Sequence, residues 1–362
     1  MHKRLFTLSV ILSLASASYG EGRTCGADPE PVYGLAFASF APLNTDIFVA
    51  DADGANPRPL LAHPSLDYNA SFSRDGKWIV FTSERRGSAD IYRVRLNGSG
   101  LERVVGDPAF DDQGALSPDG KSLAFVSSRS GQADVWALAL ASGKLRNITN
   151  HAAGDFRPSW SADGRWLAFS SDRDSKRPKG SGGFETSHST EIYLVRADGS
   201  GLRRVTRGEG FAGSPAWSPD GKRLAFNEAE QKEVSNIVAA RRLRGSTQIA
   251  TVDVETAEQR VLTAGAGEKW SPRWLAEGRV AYASGGPEGG LEYTDGVAGA
   301  RGQFGCPGWS PDAALHPHNP QPYGEIYVMR ADGSDARRLT DNQFEEATPS
   351  WVPPRRKRGK TE

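Results

Sequence analysis

The sequence has few of the residue types from which reactive centres are built. Its 362 residues include two cysteines and six histidines, and neither a G-x-S-x-G nor an H-E-x-x-H motif occurs. The first absence excludes the nucleophile elbow of the α/β-hydrolases, and the second excludes the zincin type of metalloprotease. The sequence therefore favours a binding module over an enzyme.

The sequence also lacks an excess of one charge and an apolar run long enough to span a membrane. The 44 basic residues balance the 44 acidic ones, which argues against nucleic acid as the main partner. The apolar run 5–14 is too short to span a bilayer, and no membrane span is predicted. Lys3 and Arg4 precede this run and Ala15-Ser-Ala17 follows it, so residues 1–17 are predicted to be a signal peptide of a periplasmic or secreted protein.

What the chain does contain is a repeat. The stretch Ser214-Pro-Ala-Trp-Ser-Pro-Asp-Gly-Lys-Arg-Leu-Ala-Phe226 has copies that start at Asn69, Gln113 and Arg157, and a weaker copy at Ser271. An Asp-Gly pair between two apolar runs predicts a β-hairpin, because glycine accepts the positive φ of a tight turn. An acidic-apolar-aromatic third strand, a second polar turn and a fourth strand follow each hairpin.

Four antiparallel strands in each unit predict an all-β, six-bladed β-propeller over residues 33–352, because radial stacking buries both faces of every sheet. Residues 33–61 supply only the second to fourth strands of a blade, and Thr348-Pro-Ser-Trp351 matches a first strand. We therefore expect one blade to be closed by strands from both termini. Residues 18–32 are predicted to be a linker and 353–362 a basic, disordered tail. Gly308-Trp-Ser-Pro-Asp312 resembles another blade start and leaves seven blades as an alternative.

Additions to the repeat fall at 174–190, at about 228–246 and at 285–324, each between a second and a third strand. In a four-stranded meander these connections emerge on one face of the disc, and the opposite face carries the tight Asp-Gly turns. Function on a rigid scaffold is usually carried by the long loops. The loop-bearing face is therefore the predicted working surface.

Strand alternation nominates residues at the propeller axis. If the aromatic residue of each first strand packs between blades, residues at odd offsets from it face the channel. The predicted channel-mouth residues are Asn69, Gln113, Arg157, Ser214, Ser271 and Thr348. Arg273 is the large side chain one level deeper, and two arginines there suggest recognition of an anion.

The alternative for Arg157 and Arg273 is internal pairing with the acids that precede the same strands, which are Asp67, Asp111, Asp155 and Glu346. The acids that open the third strands are in turn expected to pair with Arg85, Arg129 or Arg173.

Two minor candidates remain. Cys25 and Cys306 form one disulfide in an oxidising compartment, or they are two unpaired thiols. His316 and His318 are weak candidates for a metal site, since further ligands are not identified. No cofactor is predicted, and a bound divalent cation is left open.

The W-S-P-D-G-K-x-L-A-F units, followed by D-I-Y and A-D-G-S-G-x-x-R-x-T, resemble the repeats of the TolB β-propeller family over residues 33–352. The resemblance implies a periplasmic, non-catalytic protein-docking module of a cell-envelope assembly, with a protein or peptide partner. The propeller is predicted to be monomeric. The α/β domain that precedes the propeller in that family is not seen in this sequence. Similar repeats occur in propeller lyases that hold a metal through histidines, so the alternative is a metal-dependent lyase or hydrolase acting on a carbohydrate or peptide.

Overall fold

Six four-stranded antiparallel sheets make up the described part of the protein. The computed structural model describes residues 35–41, 44–53, 55–175, 190–208, 210–229, 247–265, 269–275, 278–284, 325–339 and 346–351. Six sheets of four strands confirm the predicted β-propeller. The segment from Gly308 to Asp312, which suggested a seventh blade, lies outside these residues.

The strands follow one another in chain order within each sheet, except that the last strand joins the first sheet. The first sheet contains β24 (Glu346–Trp351), β1 (Leu35–Ala41), β2 (Asn44–Ala50) and β3 (Arg58–Pro59). The second contains β4 (Asp67–Phe72), β5 (Trp78–Ser83), β6 (Asp90–Arg95) and β7 (Glu102–Val105). The third contains β8 (Asp111–Leu116), β9 (Ser122–Ser127), β10 (Asp134–Ala139) and β11 (Lys144–Asn147).

The other three sheets have the same arrangement. The fourth contains β12 (Asp155–Trp160), β13 (Trp166–Ser171), β14 (Glu191–Arg196) and β15 (Arg203–Arg204). The fifth contains β16 (Phe211–Trp217), β17 (Arg223–Ala229), β18 (Gln248–Asp253) and β19 (Gln259–Val261). The sixth contains β20 (Lys269–Trp274), β21 (Arg279–Ser284), β22 (Glu325–Arg330) and β23 (Arg337–Arg338).

The first strands of the sheets surround a common axis. Each contacts the first strand of the next sheet, and β24 contacts both β20 and β4. In its own sheet β24 runs antiparallel to β1, with Trp351 opposite Leu35 and Ser350 opposite Ala36. A strand from late in the chain therefore occupies the innermost position of the first sheet.

The hydrophobic core is divided into layers between neighbouring sheets. One layer joins Ile192 and Leu194 of β14 to Leu224 and Phe226 of β17, and another joins Phe37 of β1 to Ile326 of β22. Each second strand except β21, which has a tyrosine there, places a buried phenylalanine at the same position: Phe37, Phe81, Phe125, Phe169 and Phe226. These layers bury the sheet faces that a single blade would leave in water.

The Asp-Gly hairpins form as the sequence predicts. In the turn after β8, the hydroxyl of Ser117 donates to Oδ1 of Asp119 at 2.6 Å, and the Lys121 amide donates to the same oxygen at 3.0 Å. Gly120 has φ of +70°, which a residue with a Cβ rarely adopts. The same bonds recur after β4, β12 and β16. The edge of the propeller that carries these turns is called the turn face below.

Several predicted segments cannot be compared with the structure. The signal peptide 1–17, the linker 18–32, the tail 353–362 and most of each long insertion lie outside the described residues. So do Cys25, Cys306, His316 and His318. The described residues contain no helix of the length and apolarity needed to cross a membrane.

Candidate functional site

The innermost strands share a break in their regular pairing near the channel mouth. In β4 the register shifts between Tyr68 and Ser71, and equivalent shifts occur in β8, β12, β16 and β20. The residue at each shift has a left-handed backbone: Asn69, Gln113, Arg157, Ser214 and Ser271, with φ of 54°, 59°, 54°, 53° and 50°. Non-glycine residues adopt this conformation at a cost and only when their surroundings impose it. Five equivalent bulges, each with a strained left-handed residue, therefore set the backbone conformation of the channel mouth.

Side chains at the bulges bind one another across neighbouring blades. Nδ2 of Asn69 donates to Oδ1 of Asp112 at 2.8 Å, and the backbone amide of Arg157 donates to Oε1 of Gln113 at 2.7 Å. Nη1 of Arg157 reaches Oδ1 of Asn69 at 3.4 Å, two blades away. These bonds join residues 43, 44 and 88 positions apart in sequence and hold three blades in a fixed relation around the axis.

Below the mouth lies a cavity of about 250 Å³ on the axis. The channel-mouth residues that line it are Asn69, Gln113, Arg157 and Ser214, with Arg273 deeper. The structure thus brings together five of the seven predicted site residues. Ser271 is 2% exposed and is not among the lining residues, and the side chain of Thr348 lies outside the described part of the chain.

Strict alternation does not describe the lining completely. Ala70, Gly114, Pro158 and Pro215 follow the bulged residues and also face the cavity. A bulge inserts an extra residue and turns the strand, so two consecutive residues share one side. Alternation also places Ser71, Ala115, Ser159 and Ser350 at the same depth as Arg273, and these four line the cavity, whereas the equivalent Ala216 is not among the lining residues.

Sequence reasoning missed two residues of this site, Asp112 and Arg74. Oδ1 of Asp112 accepts from the Thr82 hydroxyl and the Gln113 amide as well as from Asn69, at 2.6, 2.6 and 2.8 Å. Arg74 lies at the far end of the cavity, where its Nη1 donates to the Ala162 carbonyl at 3.1 Å. Both depart from the repeat, because the other blades have an apolar residue, mostly an aromatic one, at the Asp112 position and mostly proline or alanine at the Arg74 position. This departure from the repeat is the feature of the sequence that could have identified Asp112 and Arg74.

The electrostatics of the cavity are set by its arginines. Burial, together with repulsion from Arg157, lowers the pKa of Arg273 to about 10. Arg273 is still charged at neutral pH, and its Nη1 donates to the carbonyl of the adjacent Pro272 at 2.9 Å. Burial is the larger cause of the lowered pKa, and repulsion between the two guanidinium groups is the smaller one.

The predicted ion pairing was wrong for the aspartates, and the side chain of Glu346 lies outside the described part of the chain. Asp67, Asp111 and Asp155 bind Arg85, Arg129 and Arg173, each with both carboxylate oxygens, rather than the channel arginines. The acids that open the third strands have other partners: Asp90 binds Arg103, Glu191 binds Arg204, and Asp134 binds Asn147. Arg85, Arg129 and Arg173 each lie two residues after a serine that pairs with both the first-strand acid and the third-strand acid, so sequence distance did not show which acid each arginine binds.

The described ranges contain no group of three or more histidine, cysteine, aspartate or glutamate residues placed to hold a metal ion. His316 and His318 lie outside those ranges. The described lining of the channel is largely polar and includes three arginines, Arg74, Arg157 and Arg273.

Comparison with known proteins agrees with the fold and the repeat. The profile of the TolB beta propeller domain matches residues 108–178. A Tol-Pal system protein TolB of Anaeromyxobacter dehalogenans is 29% identical over 194 residues, which are 48% of this chain and 42% of that protein. The chain thus matches less than half the length of this curated relative.

Solved structures extend the likeness to most of the chain. TolB from Acinetobacter baumannii superimposes with a TM-score of 0.65 at 21% identity, covering 89% of this chain and 67% of that one. A chain of a nidogen/laminin complex superimposes with a TM-score of 0.60 at 11% identity, over 89% of this chain and 98% of that one. At such identities the likeness concerns the fold alone. The repeats, the six blades and the sequence matches together identify this chain as a TolB-like β-propeller.

Proposed function

We propose that this protein is an exported, non-catalytic propeller that binds a protein or peptide through its channel mouth and its loop-bearing face. The observation that carries the proposal is the coincidence of two features at one edge of the disc. The strained polar bulges lie at the start of the innermost strands, and that edge is also where each second strand ends and each third strand begins. Conformational strain that is concentrated at one site is typical of binding and catalytic positions.

The lengths of the connections support the same face. Residues 172–190, 230–247 and 285–324 join the second to the third strand in the fourth, fifth and sixth sheets, whereas residues 84–89 suffice in the second. The hairpin turns at the opposite edge span four or five residues in the five blades that have one, 73–77, 117–121, 161–165, 218–222 and 275–278. Long insertions confined to one edge are expected when that edge binds a specific partner.

The assembly in which the protein acts is also proposed from its relatives. The curated relatives are named Tol-Pal system proteins, and the matched part is the propeller. We infer a role in a cell-envelope assembly after removal of residues 1–17. Mass spectrometry of the mature protein tests the export step, because a retained Met1 peptide would contradict it.

The binding face is tested by affinity capture from the envelope fraction of the host. Three baits are compared: the mature protein, a variant with short Gly-Ser linkers in place of 176–189 and 285–324, and a turn-face variant with Lys77, Lys121 and Lys222 changed to serine. These lysines are exposed at the turn face. Equal melting temperatures would show that all three baits are folded.

We expect the mature protein and the turn-face variant to enrich the same partner and the linker variant to lose it. Retention by the linker variant together with loss by the turn-face variant would place binding on the wrong edge and refute the proposal.

A further inference from the structure

Two side-chain amides at the channel mouth are held in fixed orientations. Nδ2 of Asn69 donates to Oδ1 of Asp112 at 2.8 Å, and because a carboxylate oxygen only accepts, Oδ1 of Asn69 points the other way. Oε1 of Gln113 accepts from the backbone amide of Arg157 at 2.7 Å, and because a backbone amide only donates, Nε2 is the outer end of Gln113. The internal partners therefore determine which end of each amide is left for a ligand.

Both outer ends can still form hydrogen bonds. Within the described part of the chain, the one side-chain hydrogen bond of Gln113 is that of Oε1, so Nε2 keeps its donors. Oδ1 of Asn69 lies 3.4 Å from Nη1 of Arg157, a long contact, and a carbonyl oxygen has a second lone pair for another donor. Asn69 and Gln113 both line the axial cavity and belong to the neighbouring strands β4 and β8. The mouth thus offers one acceptor and one donor on adjacent blades.

An acceptor and a donor at one site match the main chain of a peptide. In an extended chain the N–H and the C=O of one residue point to the same side, as they do toward a neighbouring antiparallel strand. Main-chain hydrogen bonds of this kind give affinity whatever the side chains of the bound segment are. The backbones at Asn69 and Gln113 are fixed by left-handed bulges, so the two amides are in place before a peptide arrives.

We propose that the channel mouth binds the main chain of an extended peptide, with Oδ1 of Asn69 accepting from an N–H and Nε2 of Gln113 donating to a carbonyl. The proposal rests on the function proposed above, in which the partner is a protein or peptide, and it names the part of that partner which this site recognises. Asp112 is a positioning residue here, because its carboxylate fixes the orientation of the Asn69 amide.

The first test uses the wild-type protein and two uncharged peptides. Acetyl-triglycine dimethylamide is compared with the corresponding sarcosine peptide, in which N-methylation removes every N–H and keeps every carbonyl. Binding is followed by NMR titration of the Gln113 side-chain amide and of the Trp160 indole, which lines the cavity. The glycine peptide should shift both signals, and the N-methylated peptide should bind at least about fivefold more weakly, because it lacks the hydrogen bond to Asn69.

The second test changes each amide while its internal hydrogen bond is kept. In Gln113→Glu the side chain still accepts from the Arg157 amide and loses only the outer donor, so the melting temperature should stay close to that of the wild type. Its affinity for the glycine peptide should fall at least about fivefold.

For Asn69 the matched pair of variants exchanges the two side chains. Asn69→Asp alone places two carboxylates together and should melt lower. Asn69→Asp combined with Asp112→Asn restores a donor facing an acceptor and leaves an acceptor toward the cavity. This double variant should therefore regain both the melting temperature and the affinity for the glycine peptide.

Equal affinity for the two peptides, undiminished affinity in Gln113→Glu, or no response of the wild type would each overturn the proposal. So would a double variant that regains neither its melting temperature nor its affinity, or the first without the second. The result is separate from the capture experiment. A partner captured equally by wild type and Gln113→Glu supports the binding function and refutes main-chain recognition, and peptide binding without a captured partner does the reverse.

Discussion

Replacing Arg85 by methionine should destabilise the protein strongly, because Arg85 neutralises a carboxylate inside its blade. Its Nη2 lies 2.8 and 3.1 Å from the two oxygens of Asp67, which is 0% exposed, and its guanidinium carbon lies 4.9 Å from the Tyr92 ring centroid. Removing one partner of a buried ion pair costs about 3–5 kcal/mol, and a lost cation–π contact about 1 kcal/mol. We therefore expect a loss of about 4 kcal/mol, a large part of the 5–15 kcal/mol typical of a domain.

Urea unfolding, followed by tryptophan fluorescence, measures this loss in Arg85→Met, Asp67→Asn and the double variant. The double variant should be more stable than Arg85→Met by at least about 1 kcal/mol, because no unpaired charge remains in it. Exposed Lys121→Ala is the control and should change the free energy of unfolding by less than about 0.5 kcal/mol. The reasoning is refuted if Arg85→Met costs under about 1 kcal/mol, or if the effects of the two single changes simply add.

Three further changes probe the turn, the last strand and a close contact. The Ser117 hydroxyl lowers the pKa of Asp119, so Ser117→Ala should raise this pKa in an NMR titration. Because the folded pKa is lowered, the stabilisation by ionised Asp119 is present above the unfolded pKa and is lost as pH falls through the folded pKa. The stability difference between variant and wild type should therefore shrink in acid, and the part that comes from the Ser122 amide, which donates to the Ser117 hydroxyl at 2.9 Å, should remain. Ser350→Ala should cost about 1–3 kcal/mol in urea melts, because the buried Phe72 amide loses its acceptor at 3.0 Å. Gly114→Ala should cost about 1–3 kcal/mol, since its Cβ would lie 2.9 Å from a Val80 methyl; an unchanged midpoint would contradict either value.

The blade was predictable from sequence because its signals are local. An Asp-Gly pair, a flanking serine and two apolar runs define a hairpin without reference to the rest of the chain. The partner of Arg85 was not predictable in this way. Ser83, two residues earlier, lies opposite Asp67 on one side and Asp90 on the other. Arg103 of the fourth strand takes Asp90, and only the three-dimensional arrangement shows that Arg85 takes Asp67.

The channel was predictable in outline and not in detail for a related reason. Period-two alternation nominated Asn69, Gln113 and Arg157 for the axis, and they line it. Alternation assumes regular pairing, however, and a bulge interrupts that pairing in β4, β8, β12, β16 and β20. Glutamine, arginine and serine are not residues that favour a left-handed backbone, so nothing in their identity announced the bulge. The strain is imposed by tertiary structure.

The strained backbone at Ser271 predicts that the usual preference of a β-strand for valine over glycine is reversed at this position. In a regular strand valine is more favourable than glycine by up to about 1 kcal/mol. At φ of 50° a β-branched residue is a steric outlier and glycine is not. Ser271→Gly should therefore be more stable than Ser271→Val in urea unfolding. In regular β9 the order should be the opposite for Ser122, which pairs with Ala139 without a register shift.

If Ser271→Val were as stable as Ser271→Gly, the bulge would not require a left-handed residue, and the backbone at the mouth could relax without cost. The expected order means that the channel mouth is held in one conformation before any partner arrives. A partner would then lose little free energy to ordering the receptor, because the folding of six blades has already fixed the polar groups that it meets.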